Sequence, residues 1–389
     1  MTPSALSSSA GLLTILFAGT APVTTIAAPV DVPARPDAWV ASDSIRSLSY
    51  LGHPALWINR GVAMVKGADM ANGRLELDVA ASDTTNFLGI VFRAASPRFT
   101  NVIFLRPGAS GTEEAIQYGP AFNTVGVAWQ VYHGDGANAA VDLPRNRWIH
   151  LRLELDGAVA RFFVDTASKP TLVVPRVVES GGTGIGIWAG AFGRGAYFSN
   201  VRYTPATGPT TPAPMETPPA GTILDWSISN VIDAADFHPV SLPDPGKLQW
   251  QQVKTEPEGW LLINRFREAP VGGVPYDSTG AVLTDSVMTG KVAKSKVVYA
   301  RTTITSDREE LRRLQYSYNN GVVIYLNGRP LAFAMNPGGL RTNLGVMARV
   351  GDAVYLPLRK GRNELVFAVI DMTGGWACSA RLDPRGATQ

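Results

Sequence analysis

Every second side chain is apolar in GRLELDVA, residues 73–80, and again in HLRLELDG, residues 150–157. The first run sets Leu75, Leu77 and Val79 against Arg74, Glu76 and Asp78. The second sets Leu151, Leu153 and Leu155 against His150, Arg152, Glu154 and Asp156. A period of two is the repeat of a pleated strand, whose neighbouring side chains point to opposite faces, and one apolar and one charged face is the mark of an antiparallel sheet wetted on one side. The device returns near the C-terminus. In VVIYLNGRPLAF two alternating runs flank Asn327-Gly328, residues that tolerate positive φ and so predict a two-residue hairpin. In AVYLPLRKGRNELVFAVID the runs Val354, Leu356, Leu358 and Leu365, Phe367, Val369 flank RKGRN, which predicts a second reversal. One local exception is expected: Ser306 with Glu309 reads as a capping box for a helical turn in SDREELRR.

Between the two alternating regions lies ATGPTTPAPMETPPAG, residues 206–221. Its prolines fix φ and remove backbone donors, and it has almost no large apolar side chain to bury, so it predicts an extended, solvated linker. The chain therefore divides into a module at residues 38–205, the Pro/Thr-rich linker, and a module at residues 222–385. Both modules are expected to be all-β, as two β-sandwich (jelly-roll) domains. With 389 residues and 45% hydrophobic content, two ordinary cores can be built.

Composition excludes several function classes. The net charge of +3 is spread thinly with no lysine or arginine block, so neither nucleic acid nor an anionic membrane surface is an expected partner. The single cysteine, Cys378, rules out an internal disulfide and thiolate metal clusters and reads as a buried structural residue. Residues 1–27 contain the apolar run GLLTILFAG followed by TTIAA, the pattern of an export signal cleaved before Ala28. The run is too short for a stable membrane span, so the mature chain is expected to be periplasmic or extracellular. The sequence does not specify an oligomeric state.

In the first module, Leu88, Ile90 and Phe92 read as inward-facing, with Gly89, Val91 and Arg93 on the other face. Phe104 and Arg106 likewise oppose Ile103 and Leu105, which predicts Arg106 beside Arg93. Trp188, in GIGIWAG, falls on the face of Gly184 and Gly186, opposite Ile185 and Ile187, with open glycine-floored space expected beside it. The histidines His53, His133 and His150 match no metal spacing. His133 with Asp135 is a weak acid-base candidate. No metal or cofactor is expected, with structural calcium through Asp135 the one ion left open.

The succession F-R, L-R-P, Q-Y, W-x-V-Y and W-x-x-L-R-L-E-L-D-G, ending in GIGIWAG and AYFSNVRY, resembles the concanavalin A-like (laminin-G-like) jelly rolls of the 3-keto-disaccharide hydrolase type. The resemblance implies a glycan on the concave sheet, with Arg93, Arg106, Gln117, Tyr118, Trp129 and Trp188 as groove residues. Aromatic faces would pack on pyranose rings while Arg and Gln donate to hydroxyls. Retaining family 16 glucanases carry E-x-D-x-E on one strand face. Neither LELD run has the third acid, so solvated strand faces are expected, and Glu76, Asp78, Glu154 and Asp156 stand as the catalytic alternative.

The second module, through Y-L-N-G-R-P-L, L-P-L-R-K-G-R-N-E-L and GGW, resembles the galactose-binding-like jelly rolls appended to polysaccharide-active proteins. Trp260 and Trp376 are expected in core or interdomain packing. The sequence thus points to an exported carbohydrate-binding protein with an accessory second sandwich. The alternatives are a glycoside hydrolase acting on modified disaccharides or oligosaccharides, and a structural or adhesive cell-surface protein.

Overall fold

The computed structural model describes residues 24–122, 127–190, 195–215, 217–268, 296–335, 347, 351–371 and 376–385. Most of the expected leader lies outside these residues. Thr25 and Ile26, at its end, pair with Thr207 and Ala206, and Ala27 N–H donates to Pro205 O at 2.9 Å. Cleavage before Ala28 would remove that pairing.

Among the described residues the fold is all-β, and every strand pairing is antiparallel. The first sandwich stacks a nine-stranded sheet on a seven-stranded one. The larger sheet is centred on Gly73–Ala80, flanked by Trp148–Asp156 and Ala196–Thr207. The smaller sheet runs through Ile116–Phe122, Phe99–Leu105, Leu88–Ser96, Gly184–Ala189 and Gly61–Val65. The alternation read from the sequence decides the packing. Leu75, Leu77, Val79, Leu151, Leu153 and Leu155 from one sheet meet Ile90, Phe92, Ile103, Leu105, Ile185 and Ile187 from the other in one core. A fully buried aliphatic side chain contributes roughly 1.5–3 kcal/mol by leaving water, so such a core is the main force holding the two sheets together.

The second sandwich packs a seven-stranded sheet, with Lys296–Ser306, Gly361–Asp371 and Gly321–Leu326 at its centre, on a four-stranded one. The smaller sheet orders Leu261–Leu262, Ala377–Leu382, Glu310–Tyr318 and Asp352–Leu358. Trp226, Val322, Leu365, Phe367 and Val369 meet Leu314, Tyr316, Leu356, Trp376 and Cys378 in its core. Asn327 at φ 51° and Gly328 at φ 80° form the predicted hairpin, with Leu326 opposite Arg329.

Two local expectations fail. RKGRN reverses the chain, but the strands on either side of it do not pair: Asp352–Leu358 joins the four-stranded sheet and Gly361–Asp371 the seven-stranded one. Buried Asn363 holds this crossing, accepting from Arg359 N–H at 3.0 Å and donating to Arg359 O at 2.8 Å. SDREELRR forms no helical turn. Ser306 ends one strand, Glu310 begins the next, and Ser306 Oγ donates to Glu310 Oε1 at 2.8 Å instead of capping a helix.

The linker segment is held at both ends. Thr211 N–H donates to Asp156 Oδ1 at 3.0 Å, and Ala158 N–H donates to Thr211 O at 2.8 Å. Gly157, at φ 57°, permits this approach, since a Cβ there would stand 2.0 Å from Thr211 O. At the far end Leu382 N–H donates to Gly221 O at 2.9 Å. The modules also touch directly. Phe122, Ala128, Val131 and Val178 form one buried cluster with Trp260, Leu262, Met347 and Ala377, and Asn319 Nδ2 donates to Gln130 Oε1 at 2.6 Å across it.

Candidate functional site

The six groove residues do not converge. Arg93 sits at a bulge in Leu88–Ser96 with φ 46°, and this left-handed turn swings its side chain away from the Gly89 and Val91 face. Its guanidinium donates instead to Ala71 O at 2.9 Å, to Asn72 Oδ1 at 3.1 Å and to Gly157 O, clamping the loops of the larger sheet. Burial lowers its pKa from the ordinary value. Tyr118 points the other way, into the core between the sheets. Its hydroxyl donates to Asn101 Oδ1 at 2.8 Å and accepts from Val178 N–H at 2.8 Å. Gln117 and Tyr118 are adjacent on one strand, so a period of two forbids both from serving one face.

The remaining four do share the outer face of the seven-stranded sheet, but they fill it. Register places Trp188 beside Gly89, Gly89 beside Phe104 and Phe104 beside Gln117. Trp188 is only 8% exposed. It packs edge-on against Phe104 with centroids 5.5 Å apart, within a cluster of Val62, Val91, Val102 and Phe87. The neighbouring glycines open no slot: a Cβ at Gly186 would meet Ala63 O at 2.3 Å and one at Gly184 would meet Met64 Cε at 2.6 Å. Gln117 is fully buried and donates to Trp129 O and Tyr132 O at 2.7 and 2.6 Å. Arg106 uses its donors on Glu114 O at 2.8 Å, Glu114 Oε2 at 3.1 Å and Gln117 Oε1, with its guanidinium 4.7 Å from the Phe104 ring centre and 6.0 Å from that of Trp129. These contacts fasten loops and leave no trough for a sugar ring. His133 pairs with Glu114 and not with Asp135. Among the described residues no three His, Cys, Asp or Glu side chains gather to hold a metal.

An open cavity of the first sandwich lies on its other sheet. It measures about 570 Å³ and sits where Gly73–Ala80, Trp148–Asp156 and Ala196–Thr207 meet the segment around Asp31. Glu76 and Asp78, two apart on one strand, share its outward face, and register sets Asp78 opposite His150 and Glu76 opposite Arg152. A bulge between Ser199 and Arg202, with Asn200 at φ 50°, aims Asn200 and Arg202 into the same space. His150 Nδ1–H donates to Asp78 Oδ1 at 2.8 Å, and Asn200 Nδ2 donates to Asp78 Oδ2 at 2.6 Å. The other imidazole nitrogen stands 4.0 Å from Glu76 Oε1. Arg202 Nε donates to Asp31 Oδ1 at 2.5 Å, and this hydrogen bond raises the arginine pKa. Trp39, Leu56 and Phe198 lie beneath.

The four acids weighed as catalytic candidates therefore separate. Glu76 and Asp78 line the cavity. Glu154 lies among arginines, 3.3 Å from both Arg74 and Arg152, and Asp156 holds Thr211 of the linker. All four occupy equivalent places in LELD runs, so the local sequence does not distinguish one pair from the other. What distinguishes them is the bulge at Asn200 and the segment at Asp31, both distant in sequence.

No family model and no curated relative matches the chain. It is similar to several solved structures. The carbohydrate-binding module CBM66 from Bacillus subtilis shares 12% identity over 43% of this chain and 95% of its own, with a TM-score of 0.33. A Bacillus subtilis protein of galectin-like fold shares 12% over 48% and 99%, with a TM-score of 0.32. The Caenorhabditis elegans galectin LEC-6 shares 16% over 37% and 94%, with a TM-score of 0.27. At these levels the likeness bears on neither ligand nor activity.

Proposed function

We propose that this chain is an exported carbohydrate-binding protein whose first sandwich receives a neutral saccharide in the cavity formed by Glu76, Asp78, His150, Asn200 and Arg202. The supporting observation is the convergence of these polar side chains over an apolar floor, in a space of sugar size. Carboxylates accept from sugar hydroxyls, and Asn200 and Arg202 donate to them. Asp31, Glu76 and Asp78 outnumber the single arginine, so the cavity disfavours acidic sugars. The expected result in calorimetry with a panel of neutral oligosaccharides is binding that weakens about tenfold in Asp78→Asn, the loss of one charge-assisted hydrogen bond. Binding unchanged in both Asp78→Asn and Asn200→Ala would remove the site from this cavity.

One observation favours a hydrolase reading, in the sense of the family the sequence resembles. Asp78 fixes His150 by its Nδ1–H and leaves the opposite imidazole nitrogen toward Glu76, an arrangement suited to moving a proton. That reading requires turnover of a glycoside that disappears in Glu76→Gln while binding persists. A folded protein with neither binding nor turnover would leave the adhesive role.

A further inference from the structure

The second sandwich carries a groove of opposite character on the outer face of its four-stranded sheet. Glu310–Tyr318 is the inner strand there, paired on one side with Asp352–Leu358 and on the other with Ala377–Leu382. Leu311, Arg313 and Gln315 alternate outward on it. Register sets Tyr355 opposite Arg313 and Arg381 opposite Gln315. Two cavities, of about 660 and 440 Å³, lie over this face and share Pro219, Gln315 and Arg381, so they adjoin beneath the end of the linker.

Charge in the groove is unbalanced. Arg308, Arg312, Arg313, Arg381 and Arg385 line the larger cavity together with Glu310 and Asp383. With Asp307, which accepts from Arg385 Nη2 at 2.6 Å, and with Glu258 of the smaller cavity and its ion-pair partner Arg176 at 3.8 Å, six guanidiniums face four carboxylates, an excess of two positive charges. The acids are already engaged. Glu310 is held at a pKa of about 2 by Ser306 Oγ–H and by Arg385, and Asp383 accepts from Arg313 Nη1 at 3.2 Å and from Gln315 Nε2. Arg381 differs from its neighbours: its one side-chain partner among the described residues is neutral, Gln315 Oε1 at 2.6 Å. Gln315, itself anchored by Asp383, thus holds a guanidinium fork at the junction of both cavities without neutralising it.

We propose that this groove binds a carboxylate-bearing saccharide, with Arg381 and Arg313 receiving the carboxylate and Tyr355 packing against the sugar ring. A planar guanidinium matches a carboxylate with two parallel N–H bonds, and the 42%-exposed Tyr355 offers a flat apolar face beside it. Gln315 and Ser379 add groups suited to hydroxyls. An acidic peptide docking as an added strand would need an unpaired strand edge, and the groove lies over a strand paired on both sides. The site is separate from the first-sandwich cavity and does not depend on it.

The test is calorimetry of the full chain with a galacturonic acid trimer, a neutral galactose trimer, hexaglutamate and inorganic sulfate. The expected result is binding of the uronate trimer at least tenfold tighter than of hexaglutamate or sulfate, while any binding of the neutral trimer, which belongs to the other cavity, is unchanged in Arg381→Ala. Uronate binding should weaken at least tenfold in Arg381→Ala and several-fold in Tyr355→Ala, and should fall with added salt. Asp78→Asn, in the other cavity, should leave it unchanged, so the two sites fail or stand independently. Neutral-trimer binding that weakens in Arg381→Ala as much as uronate binding does would overturn the proposal, as would uronate affinity unchanged in both groove variants. Sulfate or hexaglutamate binding as tightly as the uronate trimer would overturn it too, by showing a general anion site or a peptide site. Melting curves within a few degrees of the parent identify the variants as folded; should Arg381→Ala fail this, Arg381→Lys, which keeps the charge and removes the fork, takes its place.

Discussion

Glu76 and Asp78 on the first sandwich occupy the same kind of place as Arg313 and Gln315 on the second: alternate outward positions on a strand paired on both sides over an apolar core. The strand alternation is therefore common to the two cavities, and the side chains at the outward positions differ in charge. Three carboxylates and one arginine line the first, whereas arginines exceed acids in the second. The contrast teaches that one strand device can present either sign of charge, set by the residues at alternate positions. A third outward face, that of Trp188 and Phe104, follows the same alternation and is closed. Facing outward from a sheet is thus not the same as facing water.

The sharpest way to break this comparison is at the closed face. Trp188→Ala is expected to cost roughly 3–5 kcal/mol of unfolding free energy, as removal of a buried aromatic does. A loss below about 1 kcal/mol in chemical denaturation, with the fold retained, would mean that Trp188 lines an open site after all. Next in size is Tyr118→Phe, which strands Asn101 Oδ1 and the Val178 N–H in the core. An expected loss of about 1–3 kcal/mol in the same measurement separates a core tyrosine from a groove tyrosine.

The open cavities are then compared by charge. Asp78→Asn should weaken neutral-saccharide binding about tenfold, near 1.4 kcal/mol, and lessen the discrimination against acidic sugars. An unchanged preference between a galactose and a galacturonate trimer, measured with Arg381→Ala to remove the groove's contribution, would detach sign from selectivity. The smallest effect concerns acid stability of the second sandwich. Glu310 titrates near 2, below its ordinary 4.5, so its contribution is complete above about 4.5 and is lost as pH falls through about 2. Thermal melting as a function of pH should therefore show a shallower loss toward low pH in Glu310→Gln than in the parent. Superimposable slopes would show that the contacts to Ser306 and Arg385 do not stabilise the fold.

Much of the fold was legible because the relevant signals are local. Leu75, Leu77 and Val79 turn inward as a strand period requires, and Asn327-Gly328 reverses the chain where two adjoining residues must both take positive φ. The failures have non-local causes. Ser306 and Glu309 satisfy a capping pattern, but the strand beginning at Glu310 is already paired with Asp352–Leu358, and sheet pairing overrides the weaker helical preference. The two alternating runs around RKGRN were each read correctly as strands. Their assignment to different sheets rests on partners far along the chain, Glu310–Tyr318 and Lys296–Ser306.

The site was less legible. Arg93 counts as outward by alternation, yet one left-handed residue at a bulge displaces it to Asn72 and Gly157. Gln117 does face outward but lies beneath the Trp129 and Tyr132 backbone. Glu76 and Asp78 were visible as acids, although nothing near them in sequence distinguishes them from Glu154 and Asp156.

From the sequence alone came the all-β character, the inward side chains of the long strands and the hairpin at Asn327, since each depends on conformational preferences spanning only a few residues. Tertiary structure decided which outward faces meet solvent. Access to a face is set by whatever other segments lie over it, such as Asp31 and Asn200 around Asp78 or Pro219 above Arg381, and those encounters join residues too distant in sequence for any local periodicity to record.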